Sequence, residues 1–292
     1  LGRAGNWVIH DNSMANALRG LRERVFAVEG PKGLKVPPKP LPGVFSATLN
    51  SFKGLVVSKC GWTPPLMLSE FPELYTGAHR KRYEAACASL STKALTKRDA
   101  YMSSFTKAEG VELTRNKPDP APRLIQPRTP RYNACVGRYL RVLEKKVYSA
   151  ISDIWGGPTV FKGFNASEAA GHLHQAWLEF HNPVAILLDA SRFDQHVSYD
   201  ALAWEHSVYT ACFPAHRKEL SRLLAMQLHN TGFIRTPQGT VRYKVRGCRM
   251  SGDMNTSLGN CLLMCALIKR LVDERRVKGR LANNGDDCCL IV

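Results

Sequence analysis

Leu281-Ala-Asn-Asn-Gly-Asp-Asp-Cys-Cys-Leu-Ile-Val292 sets two short apolar flanks around a polar tip, Asn284-Gly285-Asp286-Asp287. The pattern predicts a β-hairpin that holds two carboxylates at its end. Upstream, Pro183-Val-Ala-Ile-Leu-Leu-Asp189 is a second short apolar run that stops at a carboxylate. It reads as a buried strand delivering Asp189 at its end. Carboxylates that interrupt apolar sequence are costly unless a cation neutralises them. Two such strands side by side would put Asp189 next to Asp286 in a hard-oxygen site suited to Mg²⁺ and substrate phosphates. Taken alone, the Asn-Gly-Asp-Asp tip reads equally well as a favourable turn.

Working outward, Leu258, Leu262, Leu263, Ala266 and Leu271 keep helical spacing and predict a long helix from about Asn255 to Arg275. Before it, Gly232 to Arg249 reads as a hairpin turning at Thr236-Pro-Gln-Gly239, with Arg242, Lys244 and Arg246 alternating with Val241, Tyr243 and Val245. Residues 199–229 look helical, as does the run Gly77 to Leu90 with its basic Arg80-Lys-Arg82. A further helix is expected to begin near Ser167 as N-cap. Val136, Tyr139, Leu140, Leu143, Val147, Ile151 and Ile154 form another buried helical stripe. Residues 114–133 hold too many prolines for a helix interior and read as extended backbone studded with cations. Residues 30–43, also Pro-rich, read as an extended connector that sets off an N-terminal arm.

Composition narrows the class. The 292 residues carry 41 Lys and Arg against 24 Asp and Glu, a net charge of +17. Residues 1–150 hold 25 basic and 11 acidic side chains, so the excess sits in the first half. Clustered cations of this kind suit a polyanion such as nucleic acid, through release of condensed counterions. Ordinary apolar content excludes global disorder. The longest apolar run, Cys261 to Ile268, is eight residues, far short of the roughly 20 that a membrane-spanning helix needs. Nine cysteines without a C-x-x-C spacing suit neither a disulfide framework nor a zinc site, and read as free thiols in a reducing compartment. The chain opens on Leu1, which reads as a cut from something longer.

Three blocks then stand in order: Leu188-Asp-Ala-Ser-Arg-Phe-Asp194, Ser251-Gly-Asp-Met-Asn-Thr256-Ser-Leu-Gly-Asn260 and Gly285-Asp-Asp287. They resemble motifs A, B and C of viral RNA-dependent RNA polymerases (D-x₄-D, S-G-x₃-T-x₃-N and GDD). The stretch from Lys107-Ala-Glu109 through Lys117-Pro-Asp-Pro-Ala-Pro-Arg123-Leu-Ile-Gln-Pro-Arg128 looks like motif F. With Pro-Arg-Tyr-Asn133 and Val136-Gly-Arg-Tyr-Leu140 after it, the wording is especially similar to replicases of the tombusvirus family of plant viruses. The resemblance spans residues 105 to 290; residues 1–100 match more loosely.

The resemblance implies an α+β right-hand polymerase: fingers plus most of an antiparallel-sheet palm, truncated before the thumb. Residues 1–43 would be the arm and connector, 44–181 the fingers, and 182–292 the palm with finger elements inserted at about 201–245. Asp189 and Asp286 would bind two Mg²⁺ ions (Mn²⁺ as substitute), with Asp287 and the Ala190 carbonyl as supporting ligands. Asp194 and Asn260 would read the ribose, since a carboxylate held by an amide can accept a 2′-OH that a bulky aromatic would exclude. Ser251 and Thr256 would shape a mobile loop and the helix face that carries Asn260. Lys107, Lys117, Arg123 and Arg128 would line the nucleotide path; Lys107 and Arg123 match the pattern best, while individually Lys117 and Arg128 read better as a solvated basic strand. RNA template, RNA product and NTPs are the implied partners. Other viral replication proteins and host membranes would be reached through regions outside this chain, in membrane-associated complexes of the host cytoplasm. The isolated chain is expected to bind RNA without sustaining synthesis. A reverse transcriptase and a non-catalytic RNA-binding module remain as alternatives.

Overall fold

The computed structural model describes residues 7–114 and 119–292. In chain order these form β1 (Trp7–Ile9), α1 (Met14–Leu21), β2 (Val28–Gly30), β3 (Gly33–Lys35), α2 (Asn50–Cys60), α3 (Gly77–Thr92), β4 (Met102–Thr106), β5 (Gly110–Glu112), β6 (Leu124–Ile125), α4 (Pro130–Trp155), α5 (Ala166–Leu178), β7 (Ala185–Asp189), α6 (Phe193–His196), α7 (Tyr199–Cys212), α8 (Arg217–Ala225), β8 (His229–Thr236), β9 (Gly239–Arg246), α9 (Thr256–Glu274), β10 (Arg280–Asn284) and β11 (Asp287–Ile291). Helices and largely antiparallel sheets lie in separate groups, an α+β arrangement.

Helix α4 is the axis of the larger core. Pro130 occupies its first turn, where no N–H is needed, and the Thr129 hydroxyl accepts from the Tyr132 N–H. Its stripe of Tyr132, Val136, Tyr139, Leu140, Leu143, Val147 and Ile151 is buried among side chains of α2, α7, α8 and α9. The sheet β10-β11-β7 leans on this core through Leu281, Cys288 and Leu290. A second core lies under the sheet β6-β4-β8-β9, where Met102, Leu124, Ile234 and Tyr243 meet Ala17 and Leu21 of α1 and Val25. The N-terminal segment is therefore packed onto this sheet rather than free of it. Gly232 stands opposite Tyr243, and a Cβ there would lie 2.4 Å from the Tyr243 ring. The Tyr243 hydroxyl meets Ser104 Oγ and Gln126 Nε2, each at 2.8 Å.

Several sequence expectations need correction. Strand β7 forms as expected but is not buried: among the described residues it pairs only with β11, and Leu187 is 80% exposed. An apolar run signals a strand without saying how many neighbours it has. The helix expected over 199–229 breaks at Phe213-Pro214, since Pro cannot donate to the ladder, and strand begins by His229. Asn165, not Ser167, caps α5, in a reciprocal pair with Glu168. The connector of residues 30–43 opens with the tight β2–β3 turn, where Gly33 takes φ +104°. All nine cysteines are free thiols. No helix among the described residues is long and apolar enough to cross a membrane.

Candidate active site

Strands β7 and β11 run antiparallel with Asp189 directly opposite Asp287. The β10–β11 turn is fixed from inside. Buried Asn283 donates through Nδ2 to the Gly285 carbonyl at 2.7 Å and accepts the Gly285 N–H at 3.2 Å, while Gly285 adopts φ +97°. This presents Asp286 to a cleft of about 940 Å³, whose wall also includes Asp189, Ala190, Asp194, Ser251 and Arg123. Among the described residues neither Asp189 nor Asp286 belongs to an ion pair, nor do Asp194 and Glu112 of the same cleft, whereas its four other acids do. Glu23 meets Arg19 and Arg22, Glu29 meets Arg192, Glu109 meets Lys107 and Arg123, and Asp119 meets Arg19. Two carboxylates and a main-chain carbonyl left without a protein cation are a donor set that fits a hard divalent ion. Asp287 does not join them; it lines a separate depression of about 380 Å³ with Leu187 and Cys289, to which Asp189 also contributes. No three His, Cys, Asp or Glu side chains among the described residues gather as a ready metal cluster. The expected set of four oxygen ligands is thus not gathered into one cluster: Asp286 sits in the β10–β11 turn, while Asp287, the cross-strand partner of Asp189, is absent from the wall of the larger cleft.

Asp194 opens the short α6, and its Oδ1 accepts from Asn260 Nδ2 at 3.0 Å. The Asn260 amide is oriented by its other end: Arg249 Nε donates to Asn260 Oδ1 at 3.0 Å. Arg249 is itself paired through both terminal nitrogens with Glu205 of α7, the Nη1–Oε1 bond being 3.2 Å. Both residues are buried, and Glu205 also accepts from the Tyr209 hydroxyl at 2.9 Å and Asn255 Nδ2 at 2.6 Å. A Cβ on Gly259 would stand 2.2 Å from Arg249 Nη2, so the residue before Asn260 has no room for a side chain. Burial pushes the Asp194 carboxyl up from its ordinary value and nearby Asp286 adds to this, against the opposing Asn260 hydrogen bond and Arg249.

The loop between Arg249 and α9 is pinned at both ends. The Ser251 carbonyl accepts the Gln126 N–H at 2.7 Å, and Gly252, at φ +125°, lies against the Gln126–Pro127 backbone. Thr256 Oγ1 donates to the Met250 carbonyl at 3.2 Å. Arg128 reaches the loop from outside the cleft. It is 4% exposed, bonds Asp253 Oδ1 at 2.5 Å, and donates to the Ala100 carbonyl and Asn230 Oδ1, each at 2.6 Å. Its expected place on a nucleotide path is therefore wrong: every donor group is engaged and none faces the cleft. It holds the loop instead.

The family model described as viral RNA dependent RNA polymerase matches residues 2–292. The chain belongs to that family. It is 48% identical over 283 residues to the RNA-directed RNA polymerase of Tobacco necrosis virus (strain A), covering 97% of this chain and 39% of the relative. Those of Melon necrotic spot virus (48% over 292 residues) and Turnip crinkle virus (46% over 291) match 100% and 99% of this chain and 36% and 37% of their own length. The chain therefore spans less than two-fifths of the curated relatives it matches.

On this polymerase-family chain, Asp189, Ala190, Asp286, Asp194, Ser251 and Arg123 share one cleft, and Asn260 touches it through Asp194. Lys107 stands behind Glu109, its Nζ 2.6 Å from Oε2, and its N–H donates to the Arg123 carbonyl at 2.8 Å. Lys117 lies outside the described residues. Thr256 serves the loop. Sequence reasoning missed Arg249 and Glu205, and also Arg24 and Arg192, which line the cleft beside Arg123. Arg24 has no ion-pair partner among the described residues. Its Nη2 donates to the Ala121 carbonyl at 3.2 Å, while its buried Nε has no partner. Burial, followed by the charges of Arg192 and Arg123, lowers its affinity for its proton. One signal was available: Glu205 is a carboxylate inside the apolar run Ala201-Leu-Ala-Trp-Glu205.

Proposed function

We propose that this chain forms the fingers and most of the palm of an RNA-directed RNA polymerase, and that the cleft joins an RNA 3′-OH to the α-phosphate of an incoming NTP with loss of pyrophosphate. One observation carries this: Asp189 and Asp286, in no ion pair among the described residues, share a cleft with arginines that include Arg24, Arg123 and Arg192. Such a cleft suits a metal-bound triphosphate, with negative side chains toward the metals and guanidinium groups toward the phosphates. Asp189, Asp286 and the Ala190 carbonyl would hold Mg²⁺, two ions in this family's two-metal chemistry, which when bound neutralises charge at the reacting phosphate. The chain's own share is positioning. Arg24, Arg123 and Arg192 orient and neutralise the triphosphate. Asp194, held by Asn260 and behind it by Arg249, accepts the ribose 2′-OH and so favours NTPs over dNTPs. The buried Arg128–Asp253 pair keeps the Ser251-Gly252 loop against the Gln126–Pro127 segment.

In this proposal the sheet β6-β4-β8-β9 with α1 belongs to the fingers, and β7, β10, β11 and α9 belong to the palm. Template, product and NTPs are its partners; other replication proteins and host membranes of the cytoplasm would be met through the relatives' additional length. The test is labelled NTP incorporation on an RNA template with Mg²⁺, in a polymerase of the relatives' full length carrying this chain. Incorporation should vanish in Asp286→Ala, and Asp194→Ala should accept dNTPs. RNA binding with no incorporation by the unaltered protein would favour a non-catalytic binding module, and a dNTP preference would favour a reverse transcriptase.

A further inference from the structure

The face of β8 and β9 turned away from the second core carries an unbalanced set of side chains. Arg242, Lys244 and Arg246 alternate along β9 and are all exposed, and Arg235 joins them from β8. Among the described residues none of the four is in an ion pair, and β4, β6, β8 and β9 contain no acidic residue. Alternate strand residues are about 6.8 Å apart, so the β9 cations form a regular row. Aromatic surfaces are interleaved with it. Phe233 stands opposite Arg242 and beside Ser103, and His229 stands opposite Arg246. The Arg235 guanidinium lies 4.9 Å from the Phe233 ring centre, and that of Arg246 lies 4.2 Å from the Tyr199 ring. At its Arg246 end the row opens into a groove of about 810 Å³ whose walls include Lys39, Phe45, Tyr199 and Trp204. The single acid on those walls is Asp200. None of these residues lines the catalytic cleft.

We infer that this face and its groove bind single-stranded RNA outside the catalytic cleft, with the β9 cations tracking the phosphates and the rings of Phe233 and Tyr199 offering stacking surfaces to bases. Charge complementarity selects a polyanion. The aromatic groups among the cations select an unpaired strand, because duplex bases have no free faces to stack.

The test is fluorescence anisotropy of labelled single-stranded oligouridylate with the whole chain, without metal or nucleotide, so that its outcome does not depend on catalysis. Replacing the three β9 cations (R242A/K244A/R246A) should lower the log–log salt slope by about 2, at about 0.7 per phosphate contact. Between about 50 and 200 mM salt, the wild type should then lose about twentyfold more affinity than the variant. Phe233→Leu should weaken the single strand about fivefold or more and leave duplex RNA unchanged. R80A/K81A/R82A removes the same charge from α3 and should move the slope less than half as far. Matching thermal melts show that the variants fold, and glutamine at the same three positions replaces the alanine set if they do not. Equal slopes for the two triple variants would overturn the proposal. So would competition by duplex RNA or polyglutamate as strong as that by oligouridylate.

Discussion

The buried Arg249–Glu205 pair supports Asn260, and its energetics can be worked from its partners. Arg249→Met leaves the Glu205 carboxylate at 0% exposure with only the Tyr209 hydroxyl and Asn255 amide as donors. Removing one partner of a buried pair costs about 3–5 kcal/mol, because the remaining charge stays desolvated. Glu205→Met strands the Arg249 guanidinium and also orphans the Tyr209 and Asn255 donors, so it should cost at least as much. In Arg249→Met/Glu205→Met no charge is left. What remains is the loss of acceptors for Tyr209 and Asn255 and of the Arg249 Nε bond to Asn260, together about 2–3 kcal/mol at about 1 kcal/mol each. The double variant should therefore be more stable than either single variant, with a coupling of about 3 kcal/mol or more. Urea denaturation of all four proteins at neutral pH measures this, read as midpoints at constant slope. Costs that add to within about 0.5 kcal/mol would show that the two charges do not depend on one another, and the Glu205–Arg249–Asn260–Asp194 chain would have no energetic basis.

Gly259→Ala places a methyl 2.2 Å from Arg249 Nη2. It should destabilise by about 1–3 kcal/mol, where helix propensity alone would favour Ala by about 1 kcal/mol; thermal melting gives the sign. Burial pushes His206, whose Nε2 lies 3.1 Å from Gln227 Oε1, down to about 4 from 6.5. The folded chain then binds fewer protons than the unfolded one between those values, so stability falls as pH drops from about 6.5 toward 4, by about 3 kcal/mol in full. His206→Gln should flatten that loss in urea titrations across the interval. Asp194 has the opposite sign: its carboxyl is raised above 3.8, so the folded chain holds the proton longer and stability declines as pH rises from 3.8 through the raised value. Asp194→Asn should remove the decline in the same titrations.

What the sequence made legible was local. The hairpin at residues 281–292, the helix through Leu258 to Leu271, and the i, i+4 relation of Thr256 to Asn260 depend on neighbours within a few turns, and all three appear in the structure. The Asp194–Asn260 bond was also foreseen, because the two motif positions carry it. Arg128 shows the limit. Its surroundings read as solvated, but Asp253 and Asn230, more than 100 residues away in the chain, enclose it. Arg249 is neutralised by Glu205, 44 positions earlier, in the same way. Arg24 sits in an arm that reads as separate by composition, yet α1 and Val25 pack onto the second core and carry it to the cleft. The exposure of β7 was illegible for a related reason: pairing on one side or two is a property of the sheet, not of the strand.

The central claim is that Asp189 and Asp286 together form a divalent-cation site in the cleft, and Mn²⁺ binding followed by electron paramagnetic resonance tests it on this chain directly. Asp189→Asn and Asp286→Asn should each abolish the tightest Mn²⁺ site, and Asp287→Asn should weaken it less, since Asp287 is not on the wall of the larger cleft. Identical Mn²⁺ titrations for the wild type and Asp189→Asn/Asp286→Asn would contradict the account.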